Sequence, residues 1–256
     1  MISVVILIHS EANQLERCLK SVRWCDEVII ISDTNNPHVE KNIRDLIARL
    51  EIRKCQFLRR KLDDDYSSQR NFGLQKATFP WVLFIDSDEW LSQELVREIQ
   101  DVTSDKEGVQ NTDGWFIPRR DFFMGRWLTN GETGSLRLLR LAKKTAGVWE
   151  GTVHEEWKIK GSVSSLRFSI NHFPHPSLGL FVQKINRYSS LVAKERFDKG
   201  IRTSVVELIV YPKAKFVSNF YFKKGYRDGV PGFIMAMMMS FHSFLVRAKL
   251  WEMYHS

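Results

Sequence analysis

Trp81-Val82-Leu83-Phe84-Ile85-Asp86-Ser87-Asp88-Glu89 decides how the chain reads. Five apolar residues in a row suit a strand buried on both faces, as in a parallel sheet. Two aspartates follow at once, where that strand would end. Close carboxylates repel one another and are costly where water is scarce. A hard divalent cation, Mg²⁺ or Mn²⁺, removes that cost. Held there, it can bridge to a diphosphate and stabilise the negative charge of its departure. A loop of solvated acids at a strand end is the alternative.

Upstream, residues 2–8, 28–31 and 56–58 read as further strands, rich in β-branched residues. Between them Leu15, Cys18, Leu19 and Val22 recur at helical spacing. Residues 40–52 and 67–77 read as two more helices. Strands alternating with helices predict an α/β fold with a mostly parallel central sheet and right-handed crossovers. Ligands bind such sheets beyond the carboxyl ends of the strands. Three polar clusters should therefore share one rim: His9-Ser10-Glu11, Ser32-Asp33-Thr34 and Asp86-Ser87-Asp88-Glu89. Residues 114–118 and 135–141 could add strands. The run from Trp149 to Glu156 is polar and aromatic, unlike a core segment.

The chain has 256 residues and a net charge of +8. That charge is uneven: residues 1–100 are net −2, 101–160 net +1 and 161–256 net +9. A slightly acidic N-terminal body without a nucleic-acid motif disfavours nucleic-acid binding. There is no GxGxxG and no GxxxxGK[ST], so a Rossmann dehydrogenase and a P-loop ATPase are disfavoured. Three cysteines without a CxxC pair fit a reducing compartment. The opening strand lacks the basic start and cleavage site of a signal peptide.

Several segments resemble the inverting glycosyltransferases of family 2 with the GT-A fold, in particular the bacterial lipopolysaccharide-core branch. They are 3–11 (SVVILIHSE), 26–31 (DEVIII), 69–77 (QRNFGLQKA), 81–91 (WVLFIDSDEWL), 151–155 (GTVHE) and 224–232 (KGYRDGVPG). The resemblance implies a GT-A nucleotide-diphospho-sugar transferase fold. It also implies a nucleotide-activated sugar donor and a glycan or lipid-linked glycan acceptor. It puts Glu11 and Asp33 at the nucleotide pocket, although Ser32 stands where the family usually has the acid. Arg70 would reach a phosphate or base edge, Asp86 the ribose or metal, and Asp88 would be the principal metal ligand. Inverting transfer needs a base near the acceptor hydroxyl. Glu155 is favoured, with His154 as orienter, metal neighbour or substitute base, ahead of Glu156, Glu150 and Asp121. His172 is a candidate third metal ligand. Aromatic and basic residues between Trp115 and Trp127 could form an acceptor wall. Arg137 and Arg140 could face phosphate or balance local acids.

The sequence divides into a catalytic domain, residues 1–176, and a helical, basic C-terminal extension, residues 177–256. Residues 229–246 are uncharged and borderline in length for a membrane span. Basic residues and aromatics flank them, as expected of a segment attached to anionic lipid. A glycosyltransferase on the cytoplasmic face of the inner membrane is the expectation, with no preferred oligomeric state. A sugar nucleotidyltransferase and a non-catalytic glycan- or nucleic-acid-binding protein are the alternatives.

Overall fold

The computed structural model describes residues 1–8, 14–52, 54–63, 65–104, 111–151 and 155–255. In chain order the elements are β1 (Ile2–Ile8), α1 (Leu15–Ser21), β2 (Glu27–Ser32), α2 (Pro37–Arg49), β3 (Cys55–Arg59), α3 (Tyr66–Lys76), β4 (Trp81–Asp86), β5 (Glu89–Trp90), α4 (Gln93–Val102), β6 (Gly114–Phe123), β7 (Arg126–Trp127), β8 (Arg137–Lys143), β9 (Gly147–Glu150), β10 (Glu156–Ile159), β11 (Val163–Ser165), β12 (Ile170–His172), α5 (Leu178–Asp198), α6 (Val205–Val217) and α7 (Gly229–His255). They form two compact units. The first contains Met1–Arg119 and Arg137–His172; the second contains Arg120–Leu136 and Phe173–Ser256.

The first unit is built on a sheet whose strands run in the order β3-β2-β1-β4-β8-β6. The four strands from β3 to β4 are parallel; β8 pairs with β4 antiparallel, and β6 pairs with β8 antiparallel, so that β6 again runs with the first four. This is the mixed α/β GT-A architecture. Side-chain alternation sorts the sheet's apolar residues onto two faces. Val4, Ile6, Val28, Ile30, Leu83 and Ile85 pack with Leu15 and Leu19 of α1, Ile43 of α2 and Leu95 and Ile99 of α4. Val5, Ile29, Ile31, Val82 and Phe84 pack on the other face with Leu74 of α3.

That second face corrects one expectation. Trp149 is a core residue, not part of a surface run. The antiparallel β9–β10 ribbon turns Trp149 and Trp157 inward, stacked 5.3 Å apart, and each meets the Phe84 ring edge-on at 5.1 Å. Exposed Val148, Glu150, Glu156 and Lys158 alternate with them and mask the pattern.

The second unit gathers α5, α6 and α7 with residues 120–136, an excursion from the sheet domain that the boundary at residue 176 did not anticipate. Phe123 and Leu128 pack with Phe181, Ile185 and Met235. Sequence distance hides this pairing, because no local period links residue 123 to residue 235. Helix α6 opens with a capping box between Ser204 and Glu207. Helix α7 is a single 27-residue helix, long and apolar enough by length and composition to cross a membrane. It packs along both α5 and α6.

Candidate active site

The parallel register brings three strand ends side by side. Ile8 of β1 lies opposite Ser32 of β2, and Leu7 lies opposite Asp86 of β4. Helix α3 then supplies the side chains that fix the rim. Asp65 caps it by accepting from the Ser68 amide at 2.9 Å. Gln69 donates to the Arg60 carbonyl at 3.0 Å. Asn71 exchanges two hydrogen bonds with the Trp149 backbone, 2.8 and 2.9 Å. Between them Arg70 is 3% exposed and lies over the Trp149 ring. Its Nη2 is 3.0 Å from both Asp86 Oδ1 and Glu155 Oε1, and its Nε donates to Glu155 at 3.0 Å. Thus one guanidinium joins the strand-end acid to the acid at residue 155.

Arg140 of β8 takes the other oxygen of Asp86. It is 5% exposed, and its Nη2 lies 2.8 Å from Oδ2. Glu89 accepts from the Asp86 amide at 3.0 Å and faces Arg119 at 3.6 Å and Arg140 at 3.9 Å. Burial raises the Asp86 carboxyl's pKa, but the charges of Arg140 and Arg70 outweigh burial and hold it well below the usual carboxylate range. Glu89 goes the other way: burial and the neighbouring Asp86 charge push it up. Burial disfavours the charged Arg140, yet Asp86, Glu89 and Glu155 more than restore it, so its proton is held more tightly than usual. Nη1 of Arg70 and Nη1 of Arg140 are buried donors without a hydrogen-bond partner among the described residues. Unpaired buried guanidinium donors beside a strand end are suited to phosphate oxygens.

The glycosyl transferase family 2 pattern matches residues 3–150, more than half of the chain and all of these strand ends. The chain belongs to glycosyl transferase family 2, and it is a glycosyltransferase. A lipopolysaccharide core biosynthesis glycosyltransferase of Rhizobium meliloti, LpsC, is 28% identical over 98% of this chain and 92% of its own length. An uncharacterised glycosyltransferase of Rickettsia typhi is 24% identical over 98% of this chain and 87% of its own length. In structure the glycosyltransferase is similar to a mannosyltransferase of Pyrobaculum calidifontis solved with GDP-mannose and Mn²⁺. That match has a TM-score of 0.56 at 12% identity, covers 98% of this chain and 87% of the other, and shows the fold.

The structure of this family 2 enzyme brings Arg70, Asp86 and Glu155 together in one ion-paired cluster. Asp88 Oδ2 lies 3.3 Å from His172 Nε2. Strand β12 carries His172 there by pairing it with Glu89 of β5. Asp33 follows β2, and its amide donates to the Ile8 carbonyl at 3.3 Å, placing it on the same rim. Glu11 and His154 lie outside the described residues. Among the described residues no group of three or more His, Cys, Asp or Glu side chains is arranged to hold a metal. The pair Asp88 and His172 offers one carboxylate and one imidazole nitrogen. That donor set fits a Mn²⁺ or Mg²⁺ ion that takes its remaining ligands from water and substrate oxygens. Both oxygens of Asp86 are committed to guanidiniums.

Of the acids ranked behind Glu155, Glu156 is exposed and paired with Lys158, Glu150 is exposed, and Asp121 is buried in the second unit. In that unit Arg120 lies over the Trp127 ring at 4.4 Å, and Phe122 meets the same ring at 5.1 Å. The structural roles of Glu89 and Asn71 escaped sequence reasoning. Arg140 left a signal in Leu138-Leu139-Arg140-Leu141-Ala142, a charge inside an apolar strand that must find acidic partners.

Proposed function

We propose that the protein is an inverting, metal-dependent glycosyltransferase. It moves a sugar from a nucleotide-diphospho-sugar to a glycan or lipid-linked glycan in lipopolysaccharide core or other cell-envelope polysaccharide synthesis. The observation that carries this reading is the Asp86–Arg70–Arg140 cluster at the end of β4, with two buried guanidinium nitrogens left for an anion. Full-length similarity to LpsC supports the lipopolysaccharide setting.

In this mechanism Arg70 and Arg140 receive the diphosphate, and Asp88 with His172 would hold the divalent ion. When bound, that ion supplies positive charge to the departing nucleoside diphosphate. Asp33 contributes to the nucleotide pocket. Glu155 takes the proton of the acceptor hydroxyl as the hydroxyl oxygen attacks the anomeric carbon from the face opposite the leaving group. Arg70 holds Glu155 and Asp86 at a fixed separation, which couples base position to donor position. The basic, apolar second unit rests on the cytoplasmic face of the inner membrane and brings the enzyme to a lipid-linked acceptor.

The test is product stereochemistry. The enzyme is offered UDP-, GDP-, ADP- and CMP-activated sugars with isolated lipopolysaccharide core, and the new linkage is assigned by NMR. An anomeric configuration opposite to that of the donor supports the mechanism. Retention of configuration refutes it, and pyrophosphate release favours a nucleotidyltransferase.

A further inference from the structure

Helices α6 and α7 form an antiparallel hairpin. Ser240 Oγ donates to the Pro212 carbonyl at 2.7 Å, the Arg247 guanidinium lies 3.9 Å from the Tyr211 ring centre, and Phe216 meets Phe233 at 5.8 Å. The tip of the hairpin, residues 221–230, has two opposite faces. Gly225 and Asp228 face inward and are buried. Outward, Phe222 is 80% exposed and Val230 69%, beside exposed Tyr221, Lys223, Lys224 and Arg227.

Exposed aromatic and aliphatic side chains cost free energy in water, so their retention at a rigid point calls for a partner. The rigidity is built in. The buried Asp228 carboxylate accepts four hydrogen bonds, two from the amides of Thr129 and Asn130 and two from their side chains, at 2.8–3.1 Å. The Gly131 amide donates to the Lys223 carbonyl at 2.8 Å, and Arg126 donates to the Arg227 carbonyl at 3.2 Å. Gly229 has φ +66°, and a Cβ on Gly232 would stand 2.1 Å from the Gly225 carbonyl oxygen. These constraints account for much of the KGYRDGVPG segment: its glycines and aspartate shape the turn, and its Lys, Tyr, Arg and Val are displayed.

We propose that this tip is a preformed docking element for an anionic lipid bilayer. Phe222 and Val230 insert among the acyl chains, while Lys223, Lys224 and Arg227 lie against lipid phosphates. The inference rests on the membrane placement proposed above and names the segment and lipid charge that achieve it. Charge complementarity selects the occupant: three cations around an apolar point match an anionic surface, whereas a purely apolar protein partner would leave them unpaired. Helix α7 does not need to span the bilayer. Its Lys249 is tied to Asn186, Ser189 and Ser190 of α5 at 2.6–2.9 Å, and Arg247 is buried within the same unit.

The experiment is flotation of the full chain on phosphatidylcholine vesicles, with or without about 30 mol% phosphatidylglycerol as the anionic component. Wild type should float only with the anionic vesicles and come off in high salt or alkaline carbonate. Lys223→Gln/Lys224→Gln should weaken binding about 25-fold, roughly five-fold per lost cation. Phe222→Ser/Val230→Ser should weaken it at least about ten-fold through lost apolar burial. Failure of wild type to float, equal flotation on neutral vesicles, carbonate resistance, or variants that float like wild type would each overturn the docking proposal. Turnover on delipidated core oligosaccharide is measured in parallel. If wild type and variants all turn over, the transferase reading stands whatever the vesicles show; if wild type never does, that reading fails on its own.

Discussion

Replacing Arg140 by methionine tests the ion-pair cluster most severely. The substitution roughly keeps volume but removes the 2.8 Å contact to Asp86 and the nearby charge facing Glu89. Breaking a buried pair by deleting one partner costs about 3–5 kcal/mol. Asp86 keeps 30% side-chain exposure and retains Arg70, so the lower end, about 3 kcal/mol, applies. For a chain of this size that corresponds to a Tm drop of roughly 6–12 °C. The effect has a pH signature. The arginines hold the folded-state pKa of Asp86 below its unfolded value. Its stabilising contribution is therefore complete above about pH 4 and is lost as pH falls toward the folded-state value. The variant keeps only the part of that contribution that Arg70 supplies. The gap between wild type and Arg140→Met should thus be full at pH 7 and narrow below pH 4 by roughly 1.4 kcal/mol per pH unit. Urea unfolding followed by tryptophan fluorescence at pH 7 and about pH 3 measures both quantities. A gap under about 1 kcal/mol at pH 7, or one that stays constant into acid, would refute the electrostatic reasoning.

Three further outcomes are expected. Glu155→Gln should lower turnover by about 10²–10⁴-fold while nucleotide affinity stays close to wild type, measured by steady-state kinetics and calorimetric titration; unchanged turnover removes Glu155 as base. Gly73→Ala places a Cβ 2.5 Å from Val5 Cγ1 and 2.8 Å from Ile31 Cδ1, so overpacking should cost about 1–3 kcal/mol in urea unfolding. The thiols should be nearly inert in the native state: burial pushes Cys25 up to about 12, Cys55 up to about 11 and Cys18 well above the ordinary thiol value. Alkylation at pH 8 should label them only after denaturation; rapid native labelling of Cys18 would contradict the packing of α1 against β4.

The fold core was legible because parallel strands covered on both faces write themselves as unbroken apolar runs. Residues 2–8, 28–31 and 81–85 lie within β1, β2 and β4 for that reason. Helix α3 was legible as an element but not in its work: its buried side chains include Ser67 and Arg70, whose partners at Gly151 and Glu155 lie 84 and 85 residues away. Asp86 and Asp88 stood out because acids after an apolar strand have few bland explanations. Arg140 stood out as a charge inside an apolar strand, but which acids it meets did not, since Glu89 and Asp86 lie 51 to 54 residues upstream. The excursion of residues 120–136 was hidden for the same reason. Its tie to Asp228 spans 98 and 99 residues and rests on hydrogen bonds rather than on any hydrophobic period.

The central claim is that Asp88 serves a metal-dependent sugar transfer at the end of β4. Nucleotide release from the panel of activated sugars, with lipopolysaccharide core acceptor, in Mn²⁺ or in a chelator, measures it directly for wild type and Asp88→Asn. Acceptor-dependent release that requires the metal and is lost in Asp88→Asn, with unfolding unchanged, is the expected result. Release that persists in the chelator and is equal in both proteins would contradict the claim.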